Sequence, residues 1–316
     1  MFIAKYFEKA KPGAALLTSR DSYELAIFSM TLLGWHSPAG SGYATRAFAF
    51  IRISLNIMFS VIYLPIGFLL TYVRSISNMG AEELFTSMEL FLNIPPCSLK
   101  ILTMIWNRWR VYKAQELLDV LDERCVRSSE RQLVHRLVNR SSKIFNAYHT
   151  LYVLVPVVMI VAGISSNRLP WMIYNPFIDY QSSTEKFLIC CVIEFLIAGT
   201  AIYGNLIPDI IPVLFGFTVR EHLQLLKGRV SRLCTDEEMT EQQNYEELVL
   251  CIKDHKMILA YCDHMRPLIS LTMFIQFCAI AAALSVTMMH LVFFAHFWSG
   301  LGSALYMTGI SGLHDG

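Results

Sequence analysis

Four ionisable residues interrupt stretches of this chain that are otherwise apolar: Glu89, Lys100, Glu194 and Asp209. Inside a bilayer an ionisable side chain costs about 2.5–3.5 kcal/mol or more, so each must face protein or water. Two chemistries fit such groups. One is a ligand cavity or ion path, and the other is a buried hydrogen bond or a reach to the interface. The sequence leaves both open. Glu89 and Lys100 are eleven residues apart and share a helix face. They lie about 16 Å apart along the axis, too far to pair with each other. No catalytic arrangement accompanies them. The chain has no G-x-S-x-G, P-loop, G-x-G-x-x-G or H-E-x-x-H motif. Its 9 histidines form no metal set, and its 8 cysteines are scattered, with Cys190 and Cys191 the one close pair. Without C-x-x-C spacing these read as thiols buried in helices. The expectation is no enzyme, no cofactor and no metal.

The elements that carry these residues follow from composition. The 316 residues are 54% hydrophobic and 16% charged, with mean hydropathy +0.45. Soluble domains carry about 25% charged residues. The class is an all-α polytopic membrane helical bundle. A net charge of +1 gives no reason to expect a nucleic-acid partner. The amino-terminal residues show no apolar run with a small-residue cleavage site, so no cleaved signal peptide is expected.

The longest uncharged run, Pro267 to Ala295, is apolar on every face and long enough to cross a bilayer core of roughly 30 Å. Four earlier spans are predicted: Ile53–Val73 with Pro65 placed to kink it, Leu84–Asn107 with Pro95 and Pro96, Ile144–Asn167 with Pro156, and Phe187–Phe217 with Pro208 and Pro212. Ser22–Trp35 is too short to span and reads as an interfacial helix ended by Gly34, Pro38, Gly40 and Gly42. Val111, Leu117, Leu118, Leu121 and Cys125 recur at helical spacing, extending the second span beyond the membrane as an amphipathic helix. The loop 168–186 is apolar for a loop and is expected to fold onto the protein as a cap. The expected organisation is a cytosolic segment 1–45, spans one to four over 46–217, cytosolic helices over 218–266, and the fifth span with its tail over 267–316.

Charge sets the orientation. Segments 1–46, 108–143 and 218–266 hold 5, 9 and 7 Lys and Arg, whereas loops 74–83 and 168–186 hold 1 and 2. The amino terminus is therefore expected in the cytosol. Phe85, Met88, Glu89, Phe91, Met159, Gly163, Ile193 and Phe195 then fall in the outer halves of spans two, three and four, where aromatic and Met side chains suit a small apolar ligand. Plain interhelical packing is the competing reading. Leu248, Ile252, His255, Leu259 and Cys262 repeat every three or four residues and read as a packing seam. The small residues Ala279, Ala281, Ala282, Ala283 and Ser285 let membrane helices approach closely.

Several stretches, in order, resemble the insect odorant receptor family: DSYELAIFSMTLLGW with SPAG after it (21–40), RLPWMIYNPFIDYQSS (168–183), DIIPVLFGFTVREHLQLLKGRVSRL (209–233) and LVLCIKDHKMILAYCDHMRPLISLTMFIQF (248–277). The family's inverted topology agrees with the charge count. The resemblance implies a subunit of a ligand-gated, non-selective cation channel in the plasma membrane of a sensory-neuron dendrite. It implies a small volatile ligand among the outer helix halves, and a heterotetramer with a co-receptor subunit held by the cytosolic helices. Leu248, Ile252, His255 and Leu259 fit that subunit interface. The family continues into a sixth span and a pore-lining seventh. Here the match fades after about Met307. The expectation is five full spans plus a stunted sixth, a chain short of its pore helix. A non-conducting or dominant-negative product, or a gustatory-type receptor, are the alternatives. A G-protein-coupled receptor would reverse the topology.

The topology makes one prediction. The only N-x-S/T sequon, Asn139-Arg140-Ser141, faces the cytosol and stays unglycosylated. A tag at the amino terminus stains only after permeabilisation. A glycosidase-sensitive shift removed by Asn139→Gln would overturn the orientation.

Overall fold

The computed structural model describes residues 17–36, 42–75, 81–235 and 240–294, with the side chains of 75, 81–90 and 290–294 outside what is described. The expected positions Phe85, Met88 and Glu89 therefore lie outside the described side chains, and the tail after Phe294 lies outside the described residues. A 3-10 turn, Ser19–Tyr23, leads into helix α1 (Glu24–Leu32). Then come α2 (Tyr43–Asn56), a π-helical segment (Ile57–Tyr63) and α3 (Leu64–Ser75). Four long helices follow: α4 (Ala81–Asp122), α5 (Ser128–Ser165), α6 (Thr184–Val230) and α7 (Glu241–Phe294). No strand occurs among the described residues.

Among the described residues, four stretches are long and apolar enough to cross a membrane: Tyr43–Arg74, Ser128–Ser165, Thr184–Val230 and Glu241–Met289. The remaining predicted span lies in α4. The first span begins earlier than Ile53, because the α2 helix starts at Tyr43. The π segment next to Pro65 has a local cause. Leu64 N–H bonds back to the Phe59 carbonyl, a π-register bond. In that register the Ser60 carbonyl would take the N–H of residue 65, which proline lacks. Ser98 Oγ donates to that carbonyl instead, at 2.6 Å. A hydroxyl on α4 thus satisfies the backbone group that a proline left open, as the bilayer requires.

The short first helix ends as expected. Gly34 sits at φ +80°, and a Cβ there would come within 2.7 Å of Arg52 Cβ. Trp35 is buried, and its indole N–H donates to Asn56 Oδ1 at 3.3 Å. Arg108 donates to the Trp35 carbonyl.

The chain divides into two compact units. The larger comprises 26–111, 146–212 and 265–316, and holds the apolar spans. The smaller comprises 1–25, 112–145 and 213–264. In the smaller unit, Val134 and Leu137 of α5, Leu225 of α6 and Ile258 and Tyr261 of α7 are buried, as are Ala114, Leu118 and Leu121 on the α4 extension. A charged cluster lies with them. Buried Arg229 donates to Glu130 at 3.0 Å and to Asp254 at 2.7 Å. Arg124 reaches the same Asp254 and, at 3.0 Å, Glu247. The amino-terminal residues are tied into this unit too. Ser19 Oγ donates to Asp122 at 2.8 Å, and the buried Tyr23 and Tyr261 hydroxyls bond at 2.6 Å.

This cluster sets which face of α7 turns inward within the chain. The α7 face that packs within the chain carries Cys251, Asp254, Ile258, Tyr261 and Met265. Leu248, Ile252 and Leu259 are instead 43%, 48% and 49% exposed, and His255 is exposed as well. Hydrophobic periodicity does not mark the inward face, because Asp254 is buried by its two arginine partners rather than by apolar character.

His222, on α6 beyond the predicted span, is buried with Nε2 3.9 Å from Asp122 Oδ1. Burial, with Arg229 nearby, pushes its imidazole down to about 4, against the pull of Asp254. Between about pH 6.5 and 4 the unfolded chain binds a proton there that the folded unit refuses, so stability falls on acidification. Burial raises Asp122, which works in the opposite direction. At pH 5 the His222 contribution is a loss of about 2 kcal/mol relative to pH 7. Thermal unfolding of the solubilised chain at pH 7 and pH 5 should show a drop in Tm that His222→Gln largely removes. An equal drop in both would exclude His222 as its source.

Candidate functional site

Lys100, Asp209 and Glu194, three of the four intramembrane ionisable residues identified from sequence, fall into two constructions in the larger unit. Lys100 is buried, at 3% exposure, on α4. Its ammonium donates to Asp209 Oδ1 on α6 and to Gln276 Oε1 on α7, each at 2.7 Å. The Tyr152 hydroxyl on α5 donates to the other oxygen of Asp209. Each long helix contributes one group, and the cation meets its counter-charge within one hydrogen bond. Such a pair contributes little net stability, but removing one partner strands a buried charge. Pairing across 109 residues has no signature in local spacing, and Gln276 and Tyr152 carry no charge to draw attention. These partners were not identifiable from sequence.

The second construction is built on Glu194, which is buried on α6. Its two oxygens accept the backbone N–H of Trp171 at 2.9 Å and of Ile173 at 2.7 Å. Met172 between them has φ +51°. Successive backbone N–H groups in such a turn form a concave cradle for an anion, and here a side-chain carboxylate fills it. The 168–186 loop thus folds onto the helices as predicted, with Leu169, Trp171 and Ile173 buried. Glu194 takes the hydrogen-bonded reading that the sequence held open beside the ligand one.

The other predicted positions scatter. Phe91 stacks on Tyr72 with ring centres 5.5 Å apart. Ile193 and Phe195 pack against an apolar cluster of Leu64, Phe68, Trp171, Ile173, Ile197 and Ala198. Gly163 lies under the loop, where a Cβ would meet Pro170 Cγ at 2.8 Å and the Arg168 carbonyl at 2.9 Å. Its role in the fold is close approach of backbone to loop. Met159 is 36% exposed. Only Ile193, with Glu194, lines the small cleft beneath the loop, beside Tyr63, Ile173, Asn175, Cys190 and Ile197. Its free space is about 10 Å³, room for about one water. Tyr63 and Asn175 escaped the sequence reading, since nothing in their spacing marks them.

A larger cleft of about 340 Å³ lies in the smaller unit. Arg124, Glu130, Arg229, Arg232 and Glu247 line it, and these charges already pair with one another or with Asp254. Its lining mixes these charges with Val126, Leu233 and Leu250, where an apolar ligand would need mainly hydrocarbon walls. Among the described residues, no group of three or more His, Cys, Asp and Glu could hold a metal ion.

The sequence matches the family model described as 7tm Odorant receptor over residues 80–312. It is 35% identical over 305 residues to Odorant receptor 98a of Drosophila melanogaster, covering 96% of this chain and 76% of that protein. With Odorant receptor 59b of the same species it shares 33% identity over 302 residues, 96% of this chain and 75% of that one. In structure it resembles the insect olfactory receptor OR5 from Machilis hrabei, with TM-score 0.69 and 15% identity, covering 93% of this chain and 77% of that one. The likeness to the same receptor in complex with eugenol has TM-score 0.64 and 14% identity, covering 92% of this chain and 76% of that one.

The Lys100 construction predicts a non-additive pair. Lys100→Met alone leaves the Asp209 carboxylate buried without its cation, a loss of about 3–5 kcal/mol. The double variant Lys100→Met with Asp209→Asn recovers most of it. Thermal melting in detergent checks this, and additive losses would show that the two side chains do not act as a pair.

Proposed function

The chain belongs to the insect odorant receptor family, and from that we propose that it is the odorant-sensing subunit of a ligand-gated, non-selective cation channel. A receptor of this kind is no enzyme; it is a multi-pass membrane protein that converts ligand binding into a conformational change. In this reading it works in the plasma membrane of a sensory neuron, with its amino terminus inside, and assembles with a co-receptor subunit as a heterotetramer. The observation that carries the reading is the family match over residues 80–312, joined to about one-third identity with curated odorant receptors along nearly the whole chain. The ligand is a small volatile molecule. The solved relative's complex with eugenol supports a neutral compound of that size.

The ligand site is assigned to the outer halves of the second, third and fourth spans, around Phe85, Met88, Glu89, Phe91, Met159, Gly163, Ile193 and Phe195. The exposed apolar stripe on α7 supports a partner subunit. Tyr245, Leu248, Ile252 and Leu259 are each 43% or more exposed and recur on one side of the helix. His255 lies beside them, also exposed. A covered face of this kind, apolar with a polar flank, is ordinary for a permanent interface.

Co-expression with a co-receptor in oocytes tests the whole reading, through odorant-evoked cation current. Within it, Met88→Ala, Glu89→Gln and Ile193→Ala should each move the odorant EC50 by about threefold or more, as expected for losing about 1 kcal/mol of contact. Unchanged dose–response curves for all three would remove this region from the ligand site.

A further inference from the structure

The loop that Glu194 holds has the parts of a releasable strap. Its ties converge on a few residues. Besides the two N–H bonds to Glu194, Tyr63 Oη donates to the Tyr174 carbonyl at 3.1 Å, and the Thr71 hydroxyl, 2.9 Å from both the Met172 and Gly67 carbonyls, shares its proton between them. The Arg74 guanidinium sits over the Tyr174 ring at 4.8 Å. Two residues with positive φ, Asn167 and Met172, both +51°, mark where the backbone turns sharply. Under the strap lies the cleft of Tyr63, Ile173, Asn175, Cys190, Ile193 and Ile197.

The walls of this cleft are apolar and its polar groups are few. Glu194 is filled by backbone donors, and the Tyr63 hydroxyl proton is committed to Tyr174. The Asn175 amide nitrogen is different. Among the described residues it donates a weak bond to Cys190 Sγ at 4.0 Å, while its Oδ1 accepts the Phe177 N–H. It is the donor within the cleft least well satisfied by the fold. In the closed arrangement the space is about 10 Å³, too small for anything but water. Lifting the 169–173 part of the strap, which Glu194 holds, removes Ile173 and Leu169 from one wall and leaves a groove over Cys190, Ile193 and Ile197 with Asn175 at its edge.

We propose that Glu194 is the latch of this strap, and that its release opens a groove binding a small neutral molecule with an apolar body and one hydrogen-bond-accepting oxygen. Asn175 supplies the donor to that oxygen. The groove lies among Tyr63, the loop and one face of α6; it shares Ile193 with the positions assigned above and does not include Phe91, Met159, Gly163 or Phe195. The neutral-ligand part rests on the odorant-receptor reading, whereas the latch does not.

Cys190 reports the strap, since it is buried beneath it at 2% exposure. The test is the rate at which N-ethylmaleimide modifies Cys190 in the solubilised full chain, carrying Cys191→Ser and read by peptide mass spectrometry. Glu194→Gln keeps the shape but removes the charge that the N–H cradle holds, and should raise the rate about tenfold, the equivalent of one charge-assisted hydrogen bond. Tyr63→Phe with Thr71→Val, which strands no buried charge, should raise it by a smaller factor and serves if Glu194→Gln fails to fold. In either loosened chain 2-heptanone should slow the labelling, and heptane much less, with the difference lost in Asn175→Leu. Wild-type rates in both loosened chains would overturn the latch. Equal effects of ketone and alkane would overturn the donor role of Asn175. If labelling behaves as expected but no odorant evokes current with a co-receptor, the receptor reading fails and the latch stands.

Discussion

A polar group out of reach of water must find its partner inside the protein, and much of this fold follows from that requirement. The backbone meets it by being helical nearly throughout. Where helix geometry fails, a side chain steps in. The Ser60 carbonyl, left without a donor by Pro65, takes the Ser98 hydroxyl. The N–H groups of the loop turn at Trp171 and Ile173 take the Glu194 carboxylate. Lys100 takes Asp209 and Gln276. Each solution joins separate stretches of chain, so satisfying local polarity also fixes how elements pack.

The same requirement explains which parts were legible in the sequence. The long apolar runs and the short Ser22–Trp35 helix were readable, because length and uniform hydrophobicity are all a span needs. The folding of 168–186 onto the protein was readable from Trp171, Ile173 and their apolar neighbours. Partner choice was not. Glu194 was recognisable as costly, but its partners are backbone N–H groups, which every residue except proline carries. Lys100 stood out in the same way, and only three-dimensional packing could choose Asp209 for it.

The α7 stripe shows a different limit. Leu248, Ile252 and Leu259 obey helical periodicity and yet are exposed, whereas Asp254 is buried. Periodicity reports that a face is apolar; it does not say whether the same chain or another one covers it. In the smaller unit the arginine–carboxylate cluster occupies the inward face, so the apolar stripe beside it is displaced outward. Two faces of one helix thus carry two kinds of contact. The charged one is satisfied within the chain, and the apolar one is left exposed.

The two membrane constructions also differ in how they could change. The Lys100 group is a closed set: the cation, the carboxylate, the amide and the phenol use one another, and moving any helix leaves a charge in hydrocarbon. That is a rigid tie. Glu194 holds instead a loop whose backbone N–H groups can turn to water once released, so opening costs hydrogen bonds that solvent replaces. A structure that must respond to a weakly binding small molecule needs both kinds of contact. Differential affinity for two states is the only way a ligand shifts an equilibrium, and a small neutral molecule supplies few kcal/mol. The element that moves must therefore be held by ties of that size, and the loop over Cys190 and Ile193 meets this condition where the Lys100–Asp209 pair does not.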